Sequence, residues 1–410
     1  MKFPRTPFAV AALFVAAAIM TSCGSSPSAN FQQHLPPPPP TGNNYTTCNS
    51  QLVPNWQSTN FISNYQPAIA ALVSHYGSNA NIGYIRIGLG RGGEINLPQG
   101  WNSGSDACSG GYQGLWGYTV GGSSPNSSTW NTYLADMVTY EHSLNSQKEL
   151  LVSITPVNGT QPNTATPDFI APLAVQNGLS YGNQGLESSD ITNFNSEPCG
   201  GDWCNLFATV PPAIAELQTI GPSCPTGVAC SGQQASTGPL PPLLPFATAH
   251  GSNDLELYYQ DWLIAYDSAY ASSVGVDSTQ AAQYKLAIQT ARATGATMEV
   301  LFPPQSGATD FAAVQQFLIN NPDVDGAVIA VSWSDFDIGN SGNTAHASYD
   351  FSTITDAAIQ PWIQAGKTVN LVLQNTTYGG SGSCPPDGIG SNGNEGSNCA
   401  MPPYMWNVLK

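Results

Sequence analysis

The feature that most restricts this chain is a repeated alternation of two kinds of segment. Eight short apolar or β-branched runs recur: IGYIRIGL (82–89), LLVSITPV (150–157), GLSYGNQG (178–185), AELQTI (215–220), DLELYYQDW (254–262), TMEVLFP (297–303), GAVIAVSW (326–333) and TVNLVLQN (368–375). A segment of helical character precedes each. In FISNYQPAIAALVSHYG, residues Phe61, Tyr65, Ile69, Leu72, Val73 and Tyr76 recur at steps of three and four, which is one face of a helix. STWNTYLADMVTYEHSL opens on a Ser/Thr cap near 128–129. Strands alternating with helices build parallel sheet joined by crossover helices. Eight such units can close into an α/β (β/α)8 barrel, the TIM barrel. An open doubly wound sheet is the rival. No G-x-G-x-x-G follows a strand as a dinucleotide site requires, and GLGRGG (88–93) lacks the Lys-Ser/Thr of a phosphate loop. Those glycines are read either as a tight loop or as a close approach of backbone to ligand.

The first residues carry a different signal. Lys2 and Arg5 precede the apolar run PFAVAALFVAAAIM, and TSCG follows it. A basic start, an apolar core and small residues before a cleavage point make a secretory signal. The run is short of the roughly 20 residues a membrane-spanning helix needs. Met20-Thr21-Ser22-Cys23 resembles a bacterial lipobox, which implies cleavage after residue 22 and lipid on Cys23. Cleavage as an ordinary signal near Cys23 is the alternative. Residues 23–44 are rich in Ser, Asn and Pro, with PPPPP at 36–40, the composition of an extended spacer. The expected organisation is a signal peptide at 1–22, a tether at 23–44 and one barrel over 45–410. The location implied is the outer surface of a bacterial membrane or the periplasm.

Export permits disulfides. Eight cysteines remain after Cys23, and three pairs close short polar loops: Cys199 with Cys204, Cys224 with Cys230, and Cys384 with Cys399. Such local pairing would leave Cys48 with Cys108, although spacing alone does not determine connectivity. A zinc site is the rival; the spacings match no common tetrahedral site and there are only 5 His, so no metal and no cofactor is expected. A formal net charge of −17 argues against a nucleic-acid partner. The 17 Tyr, 14 Phe and 9 Trp, set among amides and carboxylates, suit carbohydrate as a ligand, although most of these rings will be core. The oligomeric state is not legible.

VDGAVIAVSWSDFD (324–337) followed by YDFSTITDAAIQPWIQAGKTVNLVLQN (349–375) resembles an early portion of a barrel glycosidase. The family is the large clan of retaining glycoside hydrolases that includes many β-galactosidases and cellulases. In the same comparison YIRIGLGRGGE (84–94) looks like the family's fourth strand, whose end holds the acid/base Glu. Segments resembling units one to three thus lie at 297–410, and the segment resembling unit four lies near the N-terminus. That order is what a circular permutation would produce, and it implies that strand 368–375 pairs with strand 82–89. The rival is a chain that starts at its own first strand.

The resemblance implies a retaining glycoside hydrolase, with two carboxyls about 5–5.5 Å apart at the C-terminal ends of the strands. Carried over, Glu94 is the acid/base, with Gly93 where the family commonly has Asn. Its partner would come from unit seven, giving Glu216, with Glu256 the rival because a charge inside an apolar strand must find a partner or a wet site. Arg86 alternates inward with Tyr84 and either holds a catalytic Glu ionised or forms a structural ion pair. Gln184, Trp333, Asp335, Asn375 and Tyr378 stand at strand ends and are candidates for substrate binding; stacking on a sugar and packing under a loop are both open for Trp333. Asp261 is read as the end of its strand. A catalytically inactive glycan-binding barrel at the cell surface is the alternative function, and a structural or adhesion protein a third.

Overall fold

Eight strands do close on themselves. In the computed structural model, which describes residues 45–48, 51–90, 93–95, 129–155, 165–193, 203–302, 311–337, 348–352, 355–375 and 401–409, a short antiparallel pair, β1 (Tyr45–Cys48) and β2 (Gln51–Pro54), precedes the barrel. The barrel strands are β3 (Ile82–Ile87), β4 (Glu149–Ser153), β5 (Ser180–Leu186), β6 (Ala215–Thr219), β7 (Asp254–Tyr258), β8 (Thr297–Phe302), β9 (Gly326–Ser332) and β10 (Thr368–Gln374). They follow one another in chain order around the ring, and every pairing is parallel. Helices intervene between consecutive strands, so the fold is an α/β (β/α)8 TIM barrel. Among the described residues no helix is long and apolar enough to cross a membrane.

The strand pleat explains the two environments within the wall. Alternate residues such as Ile85 and Ile87, Leu150 and Val152, Leu255 and Leu257, and Leu371 and Leu373 are buried in the core between barrel and helices. Their neighbours in sequence point the other way. The interior of such a barrel is ordinarily filled by Val, Ile and Leu in layers. Here it holds Tyr84, Arg86, Glu216, Glu256, Glu299 and Asn370, all buried. Gly182 on β5 makes room for one of them: a Cβ there would stand 1.8 Å from Glu216 Oε2.

The strand starts expected from sequence lie within two residues of those observed. DLELYYQDW is a correction. β7 stops at Tyr258, and Tyr259–Tyr266 is a helix that carries Asp261. The run of aromatics conceals the change because Tyr258 and Tyr259 suit either conformation. Asp261 is fully buried and accepts hydrogen bonds from the Ser223 amide and hydroxyl, so it braces the loop after β6.

Strand β10 does pair with β3, as the permuted order requires. Any eight-stranded barrel threaded in chain order closes last strand on first, so closure belongs to the barrel rather than to permutation. The helix order says more. The helix Thr59–Tyr76 comes before the first barrel strand, capped by Ser58, whose Oγ accepts from the Phe61 amide. It packs over the seam where the barrel closes. Its Tyr65 hydroxyl donates to the carbonyl of Gly88 just beyond β3 (2.6 Å). Phe61 and Tyr65 pack on Trp333 beyond β9, with ring centroids 5.9 and 5.0 Å apart. Trp56 donates its indole N–H to Asn375 Oδ1 (3.0 Å), and Asn375 Nδ2 donates to the Gly88 carbonyl (2.8 Å). Among the described residues one helix, Thr59–Tyr76, precedes the first barrel strand and another, Pro403–Leu409, follows the last.

Of the expected disulfides, Cys224–Cys230 is present, and Cys204 is also disulfide-bonded. Cys23, Cys108, Cys199, Cys384 and Cys399 lie outside the described residues, as do the segments 1–22 and 23–44.

Asn375 joins three pieces of chain at the seam, so Asn375→Ala should destabilise the protein by about 1–3 kcal/mol for each buried partner left unsatisfied. Chemical denaturation of wild type and variant measures this; a difference of only a few tenths would remove Asn375 as the clasp.

Candidate functional site

The polar groups inside the barrel converge on Arg86. Its guanidinium Nη1 donates to Glu256 Oε1 and Oε2 at 3.2 and 3.3 Å and lies 3.1 Å from Glu216 Oε1. Its Nη2 donates to Gln218 Oε1 at 3.3 Å. Strands β3 and β7 are opposite one another in the ring, so the Arg86–Glu256 pair spans the interior. Glu256 also accepts from the Tyr84 hydroxyl. Glu216 Oε2 accepts from Gln184 Nε2 at 2.5 Å, and Gln184 Oε1 in turn accepts from Ser153 and Thr155. Glu299 accepts from Asn370 Nδ2.

Burial governs the charge state of this cluster. It pushes the carboxyls of Glu216, Asp254 and Glu299 well above the ordinary range, and mutual repulsion among the acids adds to the effect. Burial alone would lower the pKa of Arg86, but Glu256 and then Glu216 hold it above its usual value. A buried pair of this kind contributes little net stability while intact, yet removing one partner typically costs about 3–5 kcal/mol because the other is left charged and unpaired.

Glu94 lies beyond the C-terminal end of β3. Gly93 takes a φ of +81°, which an L side chain adopts only with strain, and the turn returns the chain so that the Gly90 amide donates to the Glu94 carbonyl (2.6 Å). Glu94 is only 9% exposed. Its charge bears on Arg86 and on Tyr258, the last residue of β7. Burial, followed by that charge, pushes the Tyr258 phenol up to about 12. Gln218 reaches the Tyr258 hydroxyl at 3.4 Å. Glu94, Tyr258, Gln218 and Arg86 thus belong to one electrostatic neighbourhood at the C-terminal mouth, the face where barrel enzymes place their sites.

The sequence candidates separate into two groups. Arg86, Gln184, Glu216 and Glu256 are brought together, and Glu94 acts on Arg86. Glu216 and Glu256 are each 0% exposed; they are interior groups as well as candidates for chemistry. Trp333, Asp335 and Asn375 serve local structure. Trp333 is fully buried against the first helix and donates its indole N–H to Asp337 Oδ2, so it offers no free face for stacking on a sugar. Asp335 accepts from the Ser332 amide within a capping box, and burial raises its carboxyl. Asn375 is the seam clasp described above. Tyr378 lies outside the described residues.

Glu299, Asp254, Gln218, Tyr258 and Asn370 were not among the sequence candidates. Glu299 carries the signal that singled out Glu256, an isolated charge within an apolar strand. Asp254, Glu256 and Glu299 lie close enough to hold a cation: one carboxylate oxygen from each falls within 4.8 Å of the other two.

No protein-family model matches this chain, and no curated protein matches its sequence.

Buried acids make stability depend on pH, and Asp261 and Asp190 do so near neutrality. Burial pushes Asp261 up to about 7 and Asp190 up to about 6, although both accept hydrogen bonds that oppose the shift. An acid whose folded pKa exceeds its unfolded value retains its proton in the folded state. Its contribution is present below the unfolded pKa and is lost as pH rises towards the folded one. Melting temperature should therefore fall between pH 5 and pH 8. Asp261→Asn, which keeps an oxygen acceptor for Ser223, should flatten that fall and leave the variant more stable than wild type at pH 8. Thermal melts across that range with no gain at pH 8 would contradict this assignment.

Proposed function

We propose that the protein is an exported glycoside hydrolase, a circularly permuted relative of the retaining clan, with its site at the C-terminal mouth of the barrel. Glu94 is the acid/base and Glu256 the nucleophilic partner. The observation that carries this reading is that Arg86 serves both: Glu94 acts on its charge from the mouth, and Glu256 is hydrogen-bonded to it from inside. Glu256 fits the attacking role better than Glu216. It accepts hydrogen bonds from Tyr84 and Arg86 that hold its carboxyl in place, whereas burial raises the carboxyl of Glu216 and so favours the protonated acid, a poor nucleophile. In the first step Glu94 protonates the glycosidic oxygen while Glu256 bonds to the anomeric carbon, the glycosidic C–O bond breaks and the aglycone leaves as an alcohol. In the second, Glu94 takes a proton from water, which displaces Glu256.

A second reading, glycan binding without turnover, is favoured by one observation: Glu256 is wholly enclosed by Tyr84, Arg86 and their neighbours. Turnover requires that Arg86 or Gln218 move aside.

Glu94→Gln should lower hydrolysis by about 10²–10⁴-fold, with a smaller loss on glycosides bearing a good leaving group. An activated 2-deoxy-2-fluoro glycoside should trap the glycosyl-enzyme, and peptide mass spectrometry should place the sugar on Glu256. Glycan binding with no turnover and no adduct would select the second reading. Wild-type rates in Glu94→Gln would remove Glu94 from the chemistry.

The location proposed is a membrane surface, held by lipid on Cys23, with a glycan as partner. The mature N-terminal peptide should begin at Cys23 and carry the mass of acyl chains; an unmodified peptide that begins elsewhere would discard the anchor.

A further inference from the structure

Below the Arg86 cluster the barrel contains two further carboxyls, Asp254 and Glu299, with no ion-pair partner among the described residues. Asp254 opens β7, Glu256 lies two residues on, and Glu299 is paired in register with Glu256 on β8. All three are buried. Among the described residues neither Asp254 nor Glu299 has an ion-pair partner, and Arg86 is committed to Glu256 and Glu216. Two oxygens are also orphaned: Glu299 Oε1 and Asp254 Oδ1 are buried without any hydrogen-bond partner. Buried polar atoms in a folded protein are nearly always paired, and an orphan marks a missing proton, water or ion. Asn370 fixes the other oxygen of Glu299, so Glu299 Oε1 is held in place with nothing to bind.

We propose that Asp254, Glu256 and Glu299 form a buried site for one hard divalent cation, Ca²⁺ in preference to Mg²⁺, which neutralises the acids in the lower half of the barrel. The donor set is oxygen alone, which selects such ions over zinc or copper. Burial favours calcium, because Mg²⁺ dehydrates reluctantly and usually keeps several waters, whereas Ca²⁺ accepts a cage of protein carboxylates. The three carboxylates offer oxygens no more than 4.8 Å from one another. On the N-terminal face a hollow of about 820 Å³ is lined by Thr297, Arg292, Asp323 and Asp325, and Thr297 is the register partner of Asp254. The site shares Glu256 with the proposed glycan chemistry and adds Asp254 and Glu299, so its test reads metal binding and stability rather than turnover.

The test uses the full folded protein, stripped with a chelator and kept at pH 8. Calorimetry with CaCl₂ should show one saturable site per chain, with MgCl₂ weaker. A hundredfold excess over Kd should raise the melting temperature by about 3–5 °C. Tb³⁺, a luminescent stand-in for Ca²⁺, should be displaced by the same calcium. Asp254→Asn and Glu299→Gln should each abolish the saturable site, while Asp323→Asn, on the rim of the hollow, should keep it. If either variant fails to fold, wild-type stoichiometry and Tb³⁺ displacement still decide. No saturable binding of Ca²⁺, Mg²⁺ or Tb³⁺ by wild type would overturn the proposal. So would a site that persists in both variants, since the binding would then belong to the acidic surface.

Discussion

One guanidinium lies across the barrel axis, and the polar interior is organised around it. Arg86 comes from β3, while its partners Glu216, Gln218 and Glu256 come from β6 and β7 on the far side of the ring. An apolar barrel core tolerates loose specification, because one branched side chain replaces another at modest cost. A core of charges and amides does not, since each group requires its partner at a set distance. Arg86 thus fixes where Glu256 points, and Tyr84 and Gln218 hold the positions around it. The same group couples inside to outside: Glu94 at the mouth feels the charge that orders Glu256 within.

This arrangement has a consequence for what the sequence discloses. Outward-facing strand residues are nearly all apolar, with Asn183 on β5 and Thr219 on β6 as exceptions, so strands and helices stand out by periodicity. Inward-facing residues are legible only as anomalies, as with Glu256 in DLELY and Arg86 in YIRIG. Glu299 in TMEVLF is the same anomaly, one charge within an apolar strand. Which anomalies meet is a matter of barrel geometry. Arg86 and Glu256 are separated by 170 positions in sequence, and their contact depends on closure. Residues at strand ends are the least legible. Trp333 and Asn375 can face the mouth or the covering helix, and only the packing of Phe61, Tyr65 and Trp56 decides for the helix.

Much of the chain between elements follows the C-terminal ends of strands. The stretches 96–128, 156–164, 303–310, 338–347 and 376–400 each come after a barrel strand in sequence. In this architecture such loops carry the ligand-specific groups, and the barrel wall carries the shared ones. The wall here offers a buried ion pair, two glutamines, two tyrosines and Glu94. That separation explains why the fold could be read from the chain while its ligand could not.

The helix over the seam also sets an order of events in time. Trp56 meets Asn375 across 319 positions, and Asn60 meets the carbonyl of Val408 across 348. The chain emerges from the ribosome N-terminus first, so the first helix is made long before the strand it covers. Until β9 and β10 arrive, Phe61 and Tyr65 lack Trp333 and Trp56 lacks Asn375. Contacts this distant in sequence slow closure, and an incomplete barrel exposes the unpaired edge of β3. The protein's most vulnerable interval is therefore its synthesis, when an apolar helix and an open strand wait together for the last part of the chain.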